Sequence, residues 1–160
     1  MDLGGTWHGE YTYGAAYDAL AGSSVPFVLS LTQSQPGQFV GYVRDDATKG
    51  GQPERGRIRG ERRGNTITFV KTMPTGYVAD ENGSKEDTAA WLRGTFGPDA
   101  PGAVPHRILY AGTLSADGTT LSGRWQIPAR SLASNDDVVH MIGGEGTWTA
   151  HRVSDLPSEV

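Results

Sequence analysis

Apolar side chains follow a period of two in eight separate stretches of this chain, and the segments between them carry glycine, proline, asparagine or aspartate. Alternation with a period of two marks a strand with one buried face. The stretches are residues 6–13, 26–33, 38–45, 56–61, 66–73, 107–115, 120–127 and 144–153. In the first, "GTWHGEYTY" puts Trp7, Gly9, Tyr11 and Tyr13 on one face and His8, Glu10 and Thr12 on the other. A face carrying side chains of that size borders an interior. A second pattern runs through the strands: a bulky apolar residue, any residue, then glycine, as in Phe39-Val-Gly41, Ile58-Arg-Gly60, Tyr110-Ala-Gly112 and Leu121-Ser-Gly123. A glycine turned inward leaves room where strands coil tightly or where a ring packs.

The connections sort into two kinds. "SQPG", "RRGN" and "ADGT" are tight hairpin turns. Residues 14–25, 46–55, 74–106 and 128–143 are long. Successive connections of an up-and-down antiparallel barrel alternate between its ends, so all four long loops fall at one end and all three tight turns at the other. The expected fold is therefore all-β: an eight-stranded antiparallel up-and-down barrel, closed at its base and elaborated at its mouth. Residues 1–153 form this single domain and 154–160 a C-terminal tail. One short helix is expected in 74–106, because Ser84-Lys-Glu-Asp87 resembles a capping box and the stretch to about Arg93 holds helix formers. Trp91 and Leu92 give it an apolar side to lay over the mouth as a lid. A surface insertion packing its own tryptophan is the alternative.

Extending the alternation yields an interior. The base receives Trp7, Leu31, Phe39, Leu114, Leu121 and Arg152, and Trp148 lies near mid-height. The mouth half receives Tyr11, Tyr13, Phe27, Val43, Phe69, Met73, Tyr110, Trp125 and Ile127. Of these, Tyr11, Tyr13, Phe27, Val43, Phe69, Met73, Trp125 and Ile127 are expected to contact a ligand, since pockets favour aromatic walls with few polar groups. Two charges break the apolar pattern: Asp45 shares parity with Phe39 and Val43, and Lys71 with Ile67, Phe69 and Met73. Charged groups are rarely buried unpaired, so each either reaches water at the rim or works inside. Lys71 is expected to meet Asp45, Tyr110 or a ligand oxygen, and these three are the candidate catalytic residues.

Composition narrows the function classes. Of 160 residues 23 are glycine, which suits a turn-rich β chain, and the net charge of −4 favours neither nucleic acid nor an anionic membrane as partner. The five arginines from Arg55 to Arg63 have Glu54 beside them and Glu61 among them and read as a solvated outer strand face. The chain has no cysteine, which excludes disulfides, thiolate metal sites and cysteine nucleophiles. No apolar run approaches the ~20 residues of a membrane span, and the early first strand leaves no room for a signal peptide, so a cytoplasmic location is expected. His8, His106, His140 and His151 have no metal-ligand spacing, and no metal or cofactor is expected. Asp136, Asp137 and His140 fall in a mouth loop, where a solvated polar loop is favoured over acid–base work. There is neither a phosphate-cradling glycine loop nor a G-x-S-x-G elbow.

Gly5-Thr-Trp7 on a first strand resembles the G-x-W signature of the calycin superfamily, which includes lipocalins, avidins and fatty-acid-binding proteins. The resemblance implies that Trp7 plugs the closed end and that a basic residue of the last strand, here Arg152, packs across it, with cation–π character. The paired cysteines of many secreted lipocalins and the biotin-ligand pattern of avidins are missing. "GTWHGE" also resembles the opening of nitrobindins, which bind haem, but their C-terminal haem-ligand pattern has no match here. The function expected is binding of one small, largely apolar molecule through the mouth. The alternative is a biosynthetic cyclase or isomerase, acting for example on a polyene or polyketide, in the same cavity. A filled barrel acting through protein contacts is a third reading, and the sequence leaves room for a homodimer.

Overall fold

The structure is a computed structural model that describes residues 2–79, 82–98, 105–134, 137–141 and 143–160. Its strands in chain order are β1 (Gly5–Tyr13), β2 (Ser24–Gln35), β3 (Gln38–Asp45), β4 (Gly56–Arg63), β5 (Thr66–Met73), β6 (Tyr77–Ala79), β7 (Lys85–Asp87), β8 (His106–Leu114), β9 (Thr120–Ile127), β10 (Arg130–Ser134), β11 (Asp137–Met141) and β12 (Gly144–Ser154), with one helix, α1 (Thr88–Phe96). Eight of these close a barrel in the order β1-β12-β9-β8-β5-β4-β3-β2, with antiparallel neighbours throughout. The eight alternating runs are the eight barrel strands, within two residues at each end.

Each tight turn carries a glycine in the left-handed region, Gly37, Gly64 and Gly118, with φ of 74°, 61° and 73°. That conformation lets two strands reverse at once, and glycine adopts it without steric cost. These turns lie at the base, opposite the long loops. The loops are richer than expected. β6 and β7 form a hairpin in the β5–β8 connection, and β10 and β11 a second in the β9–β12 connection. The helix starts three residues later than the Ser84 box implies. Asp87 is its N-cap, accepting from Ala90 N at 3.0 Å, while Ser84 precedes β7. Asp87 also accepts from Thr75 Oγ1 at 2.7 Å, and Thr88 N donates to Gly76 O, which pins the helix start to the strand it left.

The base is sealed as a plug. Trp7 is wholly buried and its Nε1 donates to Leu3 O at 3.0 Å. Arg152, opposite it on β12, lays its guanidinium 4.9 Å from the Trp7 ring centre and ties down the chain ends through Asp2 O and Asp155. Leu31, Phe39, Leu114 and Leu121 complete this layer. Above it Phe69 stacks on Tyr110 at 4.6 Å, and Trp148 meets both edge-on. Inward glycines make those rings possible. A Cβ on Gly60 would lie 2.6 Å from Phe39 Cζ, and one on Gly112 2.9 Å from the Trp148 ring. Among the described residues no helix is long and apolar enough to cross a membrane.

Candidate functional site

The upper half of the barrel holds a polar cluster set in aromatic rings. Lys71 on β5 and Asp45 on β3 both point inward and are 2% and 5% exposed. Lys71 Nζ lies 2.7 Å from each Asp45 carboxylate oxygen. Tyr11 OH donates to Asp45 Oδ2 at 3.4 Å, and the ammonium stands 4.9 Å from the Tyr11 ring centre. Burial draws the Lys71 pKa below its ordinary value, and Asp45 opposes that shift. Burial likewise pushes the Tyr11 phenol far above its ordinary range, with the Asp45 charge adding to it. Tyr110 is raised for the same two reasons, but it stacks on Phe69 and makes no hydrogen bond to the pair. Two of the three candidate catalytic residues, Lys71 and Asp45, are thus in contact, and Tyr11 rather than Tyr110 touches the carboxylate.

Above this cluster the mouth holds a half-open cavity of about 500 Å³. Tyr11, Tyr13 and Ile127 of the expected ligand-contact residues line it. Phe27, Val43, Phe69, Met73 and Trp125, expected on the same wall, do not. They are packed beneath it, each at most 5% exposed. The physical reason is ring size. Tyr11 stacks over Phe27 and meets Trp125 edge-on, and Trp125 meets Tyr13, so the rings roof the barrel at the height where a cavity was expected. Trp125 Nε1 is spent on Thr12 O.

The rest of the lining comes from the long loops. Tyr17, in a short 3₁₀ segment (Ala15–Leu20), packs 4.8 Å from Tyr13 and rests its hydroxyl on Gly144, where a Cβ would come within 1.9 Å. Burial pushes the Tyr17 phenol up to about 12. Lys85 on β7 donates to Tyr13 OH at 2.8 Å and to Gly50 O at 2.7 Å, bridging β1 and the β3–β4 loop across the rim. From α1, Thr88 and Trp91 face the cavity, while Leu92 is wholly buried. Arg130, at the start of β10, donates to Pro105 O at 2.9 Å. His140 on β11 also lines the cavity and shares a 2.8 Å hydrogen bond with Ser131. Asp136 lies outside the described residues.

His106 is a site residue that a histidine-by-histidine search for metal spacing passes over. It opens β8 with the same parity as Ile108 and Tyr110, so it turns inward, and it lines the cavity opposite Met73. Burial, then the charges of Arg130 and Lys71, push its pKa down to about 4, and its Nδ1 is buried without a partner. The remaining loop residues had no signal of this kind, because irregular backbone carries no period. No cluster of three or more metal-ligating side chains forms among the described residues. Comparisons with protein-family models, curated proteins and solved structures return no match to this chain.

Proposed function

We propose that this is a calycin-like barrel that binds one small, largely apolar molecule in its mouth. The observation that carries the reading is the cavity itself. At about 500 Å³ it is of the size that takes one small ligand, and Tyr11, Tyr13, Tyr17, Tyr77 and Trp91 line it beside polar and charged side chains. The filled barrel below serves as its floor, and α1 covers it. The closed eight-stranded topology and the Trp7–Arg152 plug support the calycin comparison. A cytoplasmic setting is part of the same reading. Native mass spectrometry of freshly purified protein tests the reading. One retained small molecule per chain is expected. Bare protein that also fails to bind any hydrophobic probe would overturn it.

One observation favours an enzyme as the second reading. Tyr11 belongs to the cavity wall and to the Lys71–Asp45 cluster at once, so its hydroxyl links a buried acid–base pair to whatever the cavity holds. A cyclase or isomerase needs little more than a dry, shaped cavity and one such group. In that case Tyr11→Phe abolishes turnover while the substrate still binds. In a pure binder the same change alters affinity alone.

A further inference from the structure

The cations around the cavity carry a statement about the ligand, one that rests on the binding reading above. Arg130 and Lys85 both line the cavity, on different sides of the rim. Neither has a carboxylate partner among the described residues, where the ion pairs are Arg63–Glu61, Lys71–Asp45 and Arg152–Asp155. Arg130 is half-buried, and a guanidinium offers five N–H donors in a planar fork. One of its hydrogen bonds is made, to Pro105 O, and no other acceptor meets it among the described residues. Lys85 spends two donors on neutral oxygens, Tyr13 OH and Gly50 O. Asp18 supplies an acid to the lining, but its side chain is exposed.

Aromatic walls alone would suit a flat ring or a cation equally well. The charges separate the two. Lys85 already stands 5.1 Å from the Tyr13 ring centre, where a ligand cation would have to sit. At the cavity end near His106, burial and then the charges of Arg130 and Lys71 disfavour a protonated ring. A cation entering here meets repulsion on both sides. An anion gains two partners and returns a counter-charge to a partly desolvated guanidinium, whose fork matches a carboxylate.

We infer that the ligand is a monoanion with a flat, unsaturated body, a carboxylic acid by class, its ring lying among Tyr13, Tyr17 and Trp91 and its carboxylate held by Arg130 with Lys85 adding to the field. The body and the head are recognised separately, so a matched pair of probes isolates the head.

Isothermal titration calorimetry with 2-naphthoate and 2-naphthamide provides that pair. Naphthoate is expected to bind about tenfold or more tightly than the amide, the scale of a charge-assisted hydrogen bond, and its advantage shrinks in high salt. Arg130→Gln removes the advantage and leaves the amide's affinity within about threefold, the margin allowed for altered packing. Arg130→Lys restores part of it, and Lys85→Gln lowers it less. Both side chains are on the rim, and an unchanged melting temperature shows that the variants fold. Amide binding as tight as naphthoate overturns the anionic ligand and leaves the binding reading intact. Tighter binding of 2-naphthyl-trimethylammonium overturns it in favour of an aromatic cage for cations. Failure of all three probes brings down the binding reading together with this one.

Discussion

At the scale of single residues, four interior side chains carry testable consequences: Trp7, the Lys71–Asp45 pair and His106. Trp7 is wholly buried under a guanidinium, so Trp7→Ala leaves a cavity that the base cannot refill and is expected to cost ~3–5 kcal/mol in urea denaturation. A loss below about 1 kcal/mol would mean that the ring seals nothing. The Lys71–Asp45 pair behaves differently, because removing one partner strands a charge in an apolar interior. Lys71→Met or Asp45→Leu alone is expected to cost ~3–5 kcal/mol, while the double variant costs much less than their sum. Additive losses would mean the pair is reached by water. His106 sets a pH dependence. Its folded pKa, about 4, lies below the ordinary 6.5, so the unfolded chain takes up the proton first. The stability it contributes is complete above pH 6.5 and is lost as the pH falls toward 4. Subtracting the stability curve of His106→Gln from that of the wild type should show a slope in that window and none above it.

At the scale of elements, the lid rests on one cap. Asp87 accepts from Ala90 N and from Thr75 Oγ1, and these bonds hold its carboxyl below the usual range. Asp87→Ala is expected to cost about 1 kcal/mol locally and to shift Trp91 emission to the red, leaving the barrel's cooperative unfolding in place. Emission unchanged from the wild type would mean that other contacts hold α1. The same cap marks where the sequence stopped being legible. The eight barrel strands could be read because a half-buried strand must alternate, and long and short loops had to segregate because the strands are antiparallel. Lys71 and Asp45 could be placed inside by parity alone. The β6–β7 and β10–β11 hairpins could not, because strands of three to five residues are too short to show a period. The helix start slipped from Ser84 to Asp87 because both fit a cap locally, and the choice was made by Thr75 and Gly76 in another segment.

At the scale of the molecule, the barrel is a cup filled from below, and the height of the filling is what parity could not reveal. Alternation tells which side of a strand a ring takes. It does not tell how far rings from separate strands close over the interior, and here Tyr11 meets Phe27 and Trp125 while Phe39 meets Phe69, which moves the open space upward into the loops. His106 has the parity of Tyr110 but lies one residue before the run at 107–115, in the stretch read as loop. Tyr17, Lys85 and Arg130 were not legible, since only the folded loops bring them together. The four tryptophans now mark depth: Trp7 at the base, Trp148 midway, Trp125 under the cavity floor and Trp91 in the lid. Their indole N–H resonances in a ¹H–¹⁵N correlation spectrum, recorded while 2-naphthoate is added, test the central claim directly. Binding in the mouth predicts that Trp91 and Trp125 shift with a common saturation curve while Trp7 and Trp148 stay in place. Shifts at Trp7 or Trp148 with Trp91 unmoved, or no shift at any of the four at saturating probe, would contradict a binding cavity at the mouth.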